Sequence, residues 1–358
     1  MVASLSEPSR VTFSPLSPTP IKKLGIVGMG DCVRNKLWPI LQTDAFFFDD
    51  VAVCSLEPHS AVNGFPHRYH QIQRDDLLPL DALHDQGFLT PETLWIVCTP
   101  SPYHVWYAVQ LAGLCPVGLD KPIAPDSRHA RLLRPFVGRQ VYPLSHKLFN
   151  ASALAFVDAC RQTPDTLRPV CHIDGVFYER AGIGQNRQQE DTIADVQWHL
   201  FTTALIALFT AAVSSFEIMV EKVSAATHEP DPLGQAAQPH VWTASRVQGR
   251  LLGEWQEVTF DFRQAKGAPR DLKGVRLFDG AGNLLHTIDL NESGWQAYAR
   301  MLLALTRPVV DMRLTLADAI TAMELIDHSR KIACQERAYA FGTLPGFLAE
   351  EQWSGENW

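Results

Sequence analysis

The chain has no Cys-x-x-Cys pair, no His-Glu-x-x-His helix and no Gly-x-Ser-x-Gly turn anywhere in its 358 residues. The first two absences remove the common zinc signatures, and the 13 histidines are spread too widely to suggest another metal cluster. The third removes the nucleophile elbow of serine hydrolases. Cysteines occur singly at positions 32, 54, 98, 115, 160, 171 and 334, several within apolar runs, so they read as reduced thiols of a cytoplasmic protein. Clustered positive charge is also missing. The 31 basic residues are scattered and outnumbered by 39 acidic ones, a net charge of −8, which argues against nucleic acid as a partner. His199–Val213, the most apolar run, falls short of a membrane span and reads as a buried helix, so no membrane partner is expected. Residues 1–20 are rich in Ser and Pro without the apolar core of a signal peptide, and predict a disordered arm.

What is present is an alternation of short apolar strands and helical stretches from Ile21 to about Leu144, the pattern of a doubly wound parallel sheet. Strands are predicted at Leu24–Val27, Val51–Cys54, Leu94–Cys98, Val117–Leu119 and Gln140–Leu144. Helices are predicted at Asp31–Leu41 (kinked or ended by Pro39), Arg74–Asp85 and Arg128–Val137. Another follows Pro102, with Val105, Val109 and Ala112 on one stripe and Gly113 at its end. In such a sheet ligands bind at the carboxyl ends of strands, and four strand ends carry distinctive residues. The first enters Gly28-Met29-Gly30-Asp31-Cys32, the start of a dinucleotide fingerprint whose third small position falls on Val33. The second carries Ser55 and Glu57 where the adenosine ribose would be met. Serine tolerates a 2′-phosphate and Glu57 repels one, which leaves NAD and NADP both open. The later strands end in Thr99-Pro100, followed by His104, and in Asp120-Lys121-Pro122. A lysine held between a buried strand and a proline, beside an acid, is the strongest functional candidate.

Beyond Leu144 the pattern changes. Helices at Ser152–Arg161, Ile193–Val213, Trp295–Leu305 and Leu316–Glu336 surround strands at Val170–Tyr178, Phe216–Val223, Val241–Gly249, Trp255–Phe262, Gly274–Phe278 and Leu284–Leu290. Asp279-Gly280 and Gly282-Asn283 supply hairpin chemistry for the last two strands. The expected domains are 21–147 and 148–336, with a tail at 337–358. Asp195 and His199 lie four apart on a predicted helix, so one face carries a His–carboxylate pair suited to removing a hydroxyl proton.

Together these residues resemble the Gfo/Idh/MocA oxidoreductase family over about residues 21–336. The likeness rests on Gly28-Met29-Gly30 with Leu37-Trp38-Pro39, Val97-Cys98-Thr99-Pro100 with His104, Asp120-Lys121-Pro122, and the Asp195/His199 spacing. The family usually has Glu where Asp120 stands, Gly or Ala at Val33, and often an acid at Ser55. Phe177-Tyr178-Glu179-Arg180 and Asp195–Leu200 also resemble glucose-6-phosphate dehydrogenases. The resemblance implies a Rossmann-type doubly wound parallel sheet plus a C-terminal α+β domain with an open, mainly antiparallel sheet. It further implies NAD or NADP over Gly28–Gly30 with Thr99 and Pro100 as its floor and His104 flanking the nicotinamide side, and a sugar, polyol or anionic sugar as substrate. Lys121 would stabilise the reacting oxygen, His199 would be the general acid/base, and Asp195 would orient it. His146, Lys147, Tyr178 and Arg180 are further substrate candidates, and a homo-oligomer (dimer or tetramer) would form through the second sheet. Two other readings are a non-catalytic dinucleotide-binding regulator and an NAD-using lyase or hydrolase with transient hydride transfer.

Overall fold

Six parallel strands in the order β3-β2-β1-β4-β5-β6 form the first sheet. They are β1 (Lys23–Val27), β2 (Asp50–Ser55), β3 (Arg68–Gln71), β4 (Thr93–Val97), β5 (Val117–Asp120) and β6 (Val141–Leu144). The computed structural model describes residues 20–30, 32–56, 68–73, 76–162, 170–180, 197–205, 216–227, 242–253, 257–266, 268, 270–292, 294–307 and 313–335. The expected arm and tail, together with Asp31, Glu57 and Asp195, lie outside these residues.

The central strands are buried throughout, because continuous apolar runs suit a sheet covered on both faces. Gly25 admits the Trp95 indole: a Cβ at Gly25 would stand 2.2 Å from the ring. The indole Nε1 donates to Phe88 O at 3.0 Å, which satisfies its polar group inside the core. Strand order reverses between β1 and β4, so their carboxyl ends flank a crevice.

The helices of this half are shorter than expected. After Cys32 the chain makes a π turn over Val33–Leu37 and continues as α1 (Trp38–Leu41), with Pro39 at the seam between them. The stretch expected as a helix over Arg74–Asp85 is helical only in α2 (Leu80–Asp85), which starts after Pro79. In α3 (Ser101–Leu111) the buried side chains are His104, Val105, Tyr107, Ala108 and Leu111, and Val109 is exposed instead of lining the core. The expected helix over Arg128–Val137 divides into α4 (Ser127–Ala130) and a 3-10 segment, Arg131–Phe136, that contains Pro135.

The second sheet has the order β12-β11-β7-β10-β9-β8. Its strands are β7 (His172–Glu179), β8 (Phe216–Thr227), β9 (Trp242–Gly253), β10 (Glu257–Lys266), β11 (Leu272–Phe278) and β12 (Leu284–Asp289). Only β7 and β10 pair in parallel, so the sheet is mainly antiparallel. Helix α5 (Ala151–Gln162) precedes it, α6 spans 197–205, and α7 (Gly294–Thr306) and α8 (Leu316–Gln335) follow. One face packs on α6. At Gly175 a Cβ would meet Phe262 at 2.8 Å and Leu200 at 3.1 Å, and Phe201 sits edge-on to Phe260 and Phe262. The opposite face carries charge. Asp174 lies between Arg263 and Arg276, each at 2.6 Å, and Arg246 grips Asp261 through two nitrogens.

Helix α8 reaches back to the first half of the chain, where it contacts α4, the Arg131–Phe136 segment and β6. Glu324 accepts from Arg131 and Arg134, Asp327 from the Ser127 amide, and Arg330 donates to Pro125 O.

Candidate active site at the strand ends of the parallel sheet

The first wall of the site is the turn after β1. Gly28 has a φ of +92°, and a Cβ there would come within 2.7 Å of Cys98 O. That glycine is therefore required by the neighbouring strand end, to which β1 is laced by the Cys98 amide donating to Val27 O. Gly30 differs: a Cβ would meet nothing within 4 Å. The open space at Gly30, beside the start of a helix at Cys32, is the kind of cradle in which backbone approaches a pyrophosphate. Thr99 Oγ1, at the end of β4, is buried with no hydrogen-bond partner among the described residues. These features fit a dinucleotide. The Met29 side chain is in the core, and its carbonyl accepts from Arg34 Nε. Ser55 is buried at the end of β2.

The second wall is the Asp120-Lys121-Pro122 turn after β5. Asp120 and Lys121 are both half-buried, and the Lys121–Pro122 bond is cis. His104 lies beneath this turn at 1% exposure. Its Nδ1 is 2.8 Å from Pro122 O and its Nε2 is 2.5 Å from Thr99 O. The ring expected to flank the coenzyme thus faces two backbone carbonyls instead.

The third wall comes from the second half of the chain. His199 on α6 is buried, its ring stacked on Phe177 of β7 at 5.0 Å. His146, in the 3-10 segment His146–Phe149 after β6, meets His199 edge-on at 5.2 Å. Tyr298 of α7 stacks on the other side of His146 at 4.2 Å, and its hydroxyl is 3.9 Å from Cys32 Sγ. Lys36 sits over the Tyr298 ring at 5.6 Å. Three separate parts of the fold therefore meet at one point.

The electrostatics follow from burial. Desolvation, then His199 and the cations Lys147, Lys121 and Lys36, hold the His146 pKa well below the ordinary imidazole value, so His146 is neutral at physiological pH. Burial, with the Cys32 and Asp120 charges behind it, pushes the Tyr298 phenol well above its usual value and keeps it a hydrogen donor. The Cys98 thiol is driven up first by its hydrogen bond with Cys32 and then by burial. Because the Lys121 charge acts on both His104 and His146, the lysine lies within electrostatic reach of the two.

Not every expected substrate residue joins this cluster. Lys147 is buried and donates to Leu290 O at 2.8 Å; burial and then Lys273 lower its pKa to about 8. Tyr178 follows Phe177 on the same strand and so points to the opposite face of the sheet, where it packs with Val176 and Ala244. It is removed from the His199 side. Arg180 is exposed just beyond the end of β7, its amide donating to Asp271. Sequence reasoning missed Tyr298 and Phe177. Tyr298 sits in a buried helical stripe with Ala297, Met301, Leu302 and Leu305 and looks like ordinary core. Its contact with Cys32 spans 266 residues, which no local pattern reveals.

No family model and no curated protein sequence matches the chain. Its fold does match solved structures. GenD2 from gentamicin A biosynthesis, in complex with NAD, is 16% identical with a TM-score of 0.63, over 91% of this chain and 98% of that one. Levoglucosan dehydrogenase, in complex with NADH and L-sorbose, is 12% identical with a TM-score of 0.61, over 88% and 98%. A myo-inositol dehydrogenase from Corynebacterium glutamicum is 12% identical with a TM-score of 0.62, over 88% and 97%. At such identities the likeness is one of architecture: the chain has the two-sheet fold of these three proteins across nearly their whole length.

Proposed function

We propose that the protein is an NAD(P)-dependent oxidoreductase acting on a hydroxyl or keto carbon of a sugar, polyol or sugar derivative. The observation that carries this reading is the meeting of the His146–His199 pair with the Lys121 charge beside the open Gly30 turn. When bound, a nicotinamide supplies the hydride donor or acceptor. The chain's own residues do the rest. Lys121 hydrogen-bonds the reacting oxygen and stabilises negative charge developing there. His199 takes the hydroxyl proton in oxidation and returns it in reduction, with Asp195, four residues earlier in the sequence, to orient it. His146, neutral and with its Nδ1 unpartnered among the described residues, offers a substrate hydroxyl a hydrogen-bonding site. The Tyr298 phenol adds a donor on the same side. Gly28, Gly30, Asp31, Cys32, Ser55, Glu57, Thr99 and Pro100 hold the coenzyme. We assign the protein to the cytoplasm, and a homo-oligomer to the charge-bearing face of the second sheet.

Thermal unfolding with NAD, NADH, NADP and NADPH is the direct test. A ligand that binds only the folded state stabilises it by about 2.7 kcal/mol at a hundredfold excess over Kd. One of the four should raise the melting temperature clearly, and myo-inositol, D-glucose or D-glucose 6-phosphate should raise it further. No shift with any nucleotide overturns the reading. Gly30→Ala should leave the ligand-free melting temperature where it is, because its Cβ meets no atom. The same change should weaken coenzyme binding by about tenfold, the factor carried by 1.4 kcal/mol. Unchanged coenzyme affinity in that variant would show that the coenzyme does not lie over Gly30.

A further inference from the structure

We propose that His104 is a positioning residue, which sets the place of Lys121 by fastening the turn that bears it to the end of β4. The proposal rests on the oxidoreductase reading only for why the position of Lys121 matters. His104 is 1% exposed and cannot touch a substrate, yet both ring nitrogens face backbone carbonyls, at 2.8 Å (Pro122) and 2.5 Å (Thr99). Those carbonyls belong to two different strand ends. Pro122 directly follows Lys121, and Thr99 lies beside the turn whose Gly28 is packed against Cys98 O. A continuous path of contacts therefore runs from the glycine turn through Cys98 and Thr99, across the imidazole, to the lysine.

Carbonyl oxygens only accept, so each nitrogen that bonds one must carry hydrogen. A neutral ring fastens one carbonyl and a protonated ring fastens both. Burial, the largest influence, outweighs Asp120 and the two carbonyls and lowers the pKa, so the ring is neutral, donates to one of the carbonyls and packs against the other. An apolar core residue here would serve packing alone. A side chain placed only for packing has no reason to present a nitrogen to each of two carbonyls.

The test reads Lys121 directly and requires no substrate. The full-length protein is labelled with trace acetic anhydride, and acetylation at each lysine is followed by peptide mass spectrometry in wild type, His104→Phe and His104→Gln. The phenylalanine keeps ring volume and removes the imidazole's hydrogen bond, whereas glutamine restores a donor. Near-UV circular dichroism establishes that each variant is folded. Freed from its anchor, Lys121 should label about tenfold faster in His104→Phe, the change that one pKa unit makes in the free-amine fraction. Lys22 and Lys331, exposed elsewhere, should keep their wild-type rates. Glutamine should return Lys121 toward the wild-type rate, which a loss of general packing would not predict. A Lys121 rate within about twofold of wild type, or slower, in a folded His104→Phe protein overturns the proposal. If that variant does not fold, His104→Met is scored by the same rule. Failure of the oxidoreductase reading is separate: it shows as absence of any nucleotide-induced thermal shift, whatever the labelling result.

Discussion

His199→Ala should lower turnover by about 10²–10⁴-fold, the range that a positioned proton donor or acceptor contributes, while leaving the nucleotide-induced thermal shift intact. The expectation follows from where the ring sits. It is held face-on by Phe177 and edge-on by His146, and α6 around it is fully buried, so its orientation is set before any ligand arrives. Alanine also opens a cavity beside Phe177, and His199→Gln separates the two effects because it fills more of that space but cannot act as an acid/base near neutral pH. Both variants should lose turnover; the alanine variant alone should also melt at a distinctly lower temperature. His146 does not substitute for the lost group, since the surrounding burial and positive charge keep it from gaining a proton. Steady-state rates with the preferred coenzyme and substrate provide the measurement. Turnover within about threefold of wild type in a folded His199→Gln protein would remove His199 from the proton-transfer role.

Asp174→Ala should cost about 3 kcal/mol of folding stability, at the lower end of what removing one partner of a buried ion pair costs. One carboxylate serves two guanidinium groups. Oδ1 accepts from Arg263 of β10 and Oδ2 from Arg276 of β11, so a single change takes a carboxylate from both cations. Their side chains retain 21% and 17% exposure against 10% for Asp174, and that residual access to water is why the low end applies. Burial works against the Arg263 charge, and Asp174, with Tyr178 and Asp261 behind it, more than offsets it, so the guanidinium is held above its usual pKa. Denaturant unfolding of the variant measures the loss, and Asp174→Asn, which keeps acceptor oxygen on one side only, should fall between variant and wild type. A loss under about 1 kcal/mol in the alanine variant would mean that the pairs are solvated like surface bridges and contribute little.

Much of this architecture was legible because its signals are local. Five of the six strands of the first sheet contain short apolar runs, and Leu94–Cys98 and Val117–Leu119 lie within a residue or two of β4 and β5; β3, the polar edge strand Arg68–Gln71, has no such run and was not expected. Helix lengths were less legible. Pro79 and Pro135 shorten or divide segments whose apolar spacing is otherwise helical, and spacing alone does not weigh that against propensity. The candidate site divides in the same way. Gly28, Gly30 and Lys121 are tied to strand ends and can be located from sequence, whereas the choice between Phe177 and Tyr178 is one of strand face, which depends on a register that no local pattern sets. Tyr298 became visible only when α7 was packed against the turn after β1.

The return of α8 to the first half of the chain has a bearing on how the protein is made. The ion pairs of Glu324 with Arg131 and Arg134 are solvent-exposed and worth little, but Ala319, Ala322, Met323 and Ile326 are fully buried. During vectorial synthesis the parallel sheet can emerge from the ribosome with all six strands present, yet the flank beside Ser127–Phe136 stays uncovered until Leu316–Gln335 has been translated. For that interval the nascent protein exposes apolar surface of the kind chaperones recognise. The last helix thus closes a part of the molecule whose own sequence was completed nearly two hundred residues earlier, as the separation of 200 between Ser127 and Asp327 records.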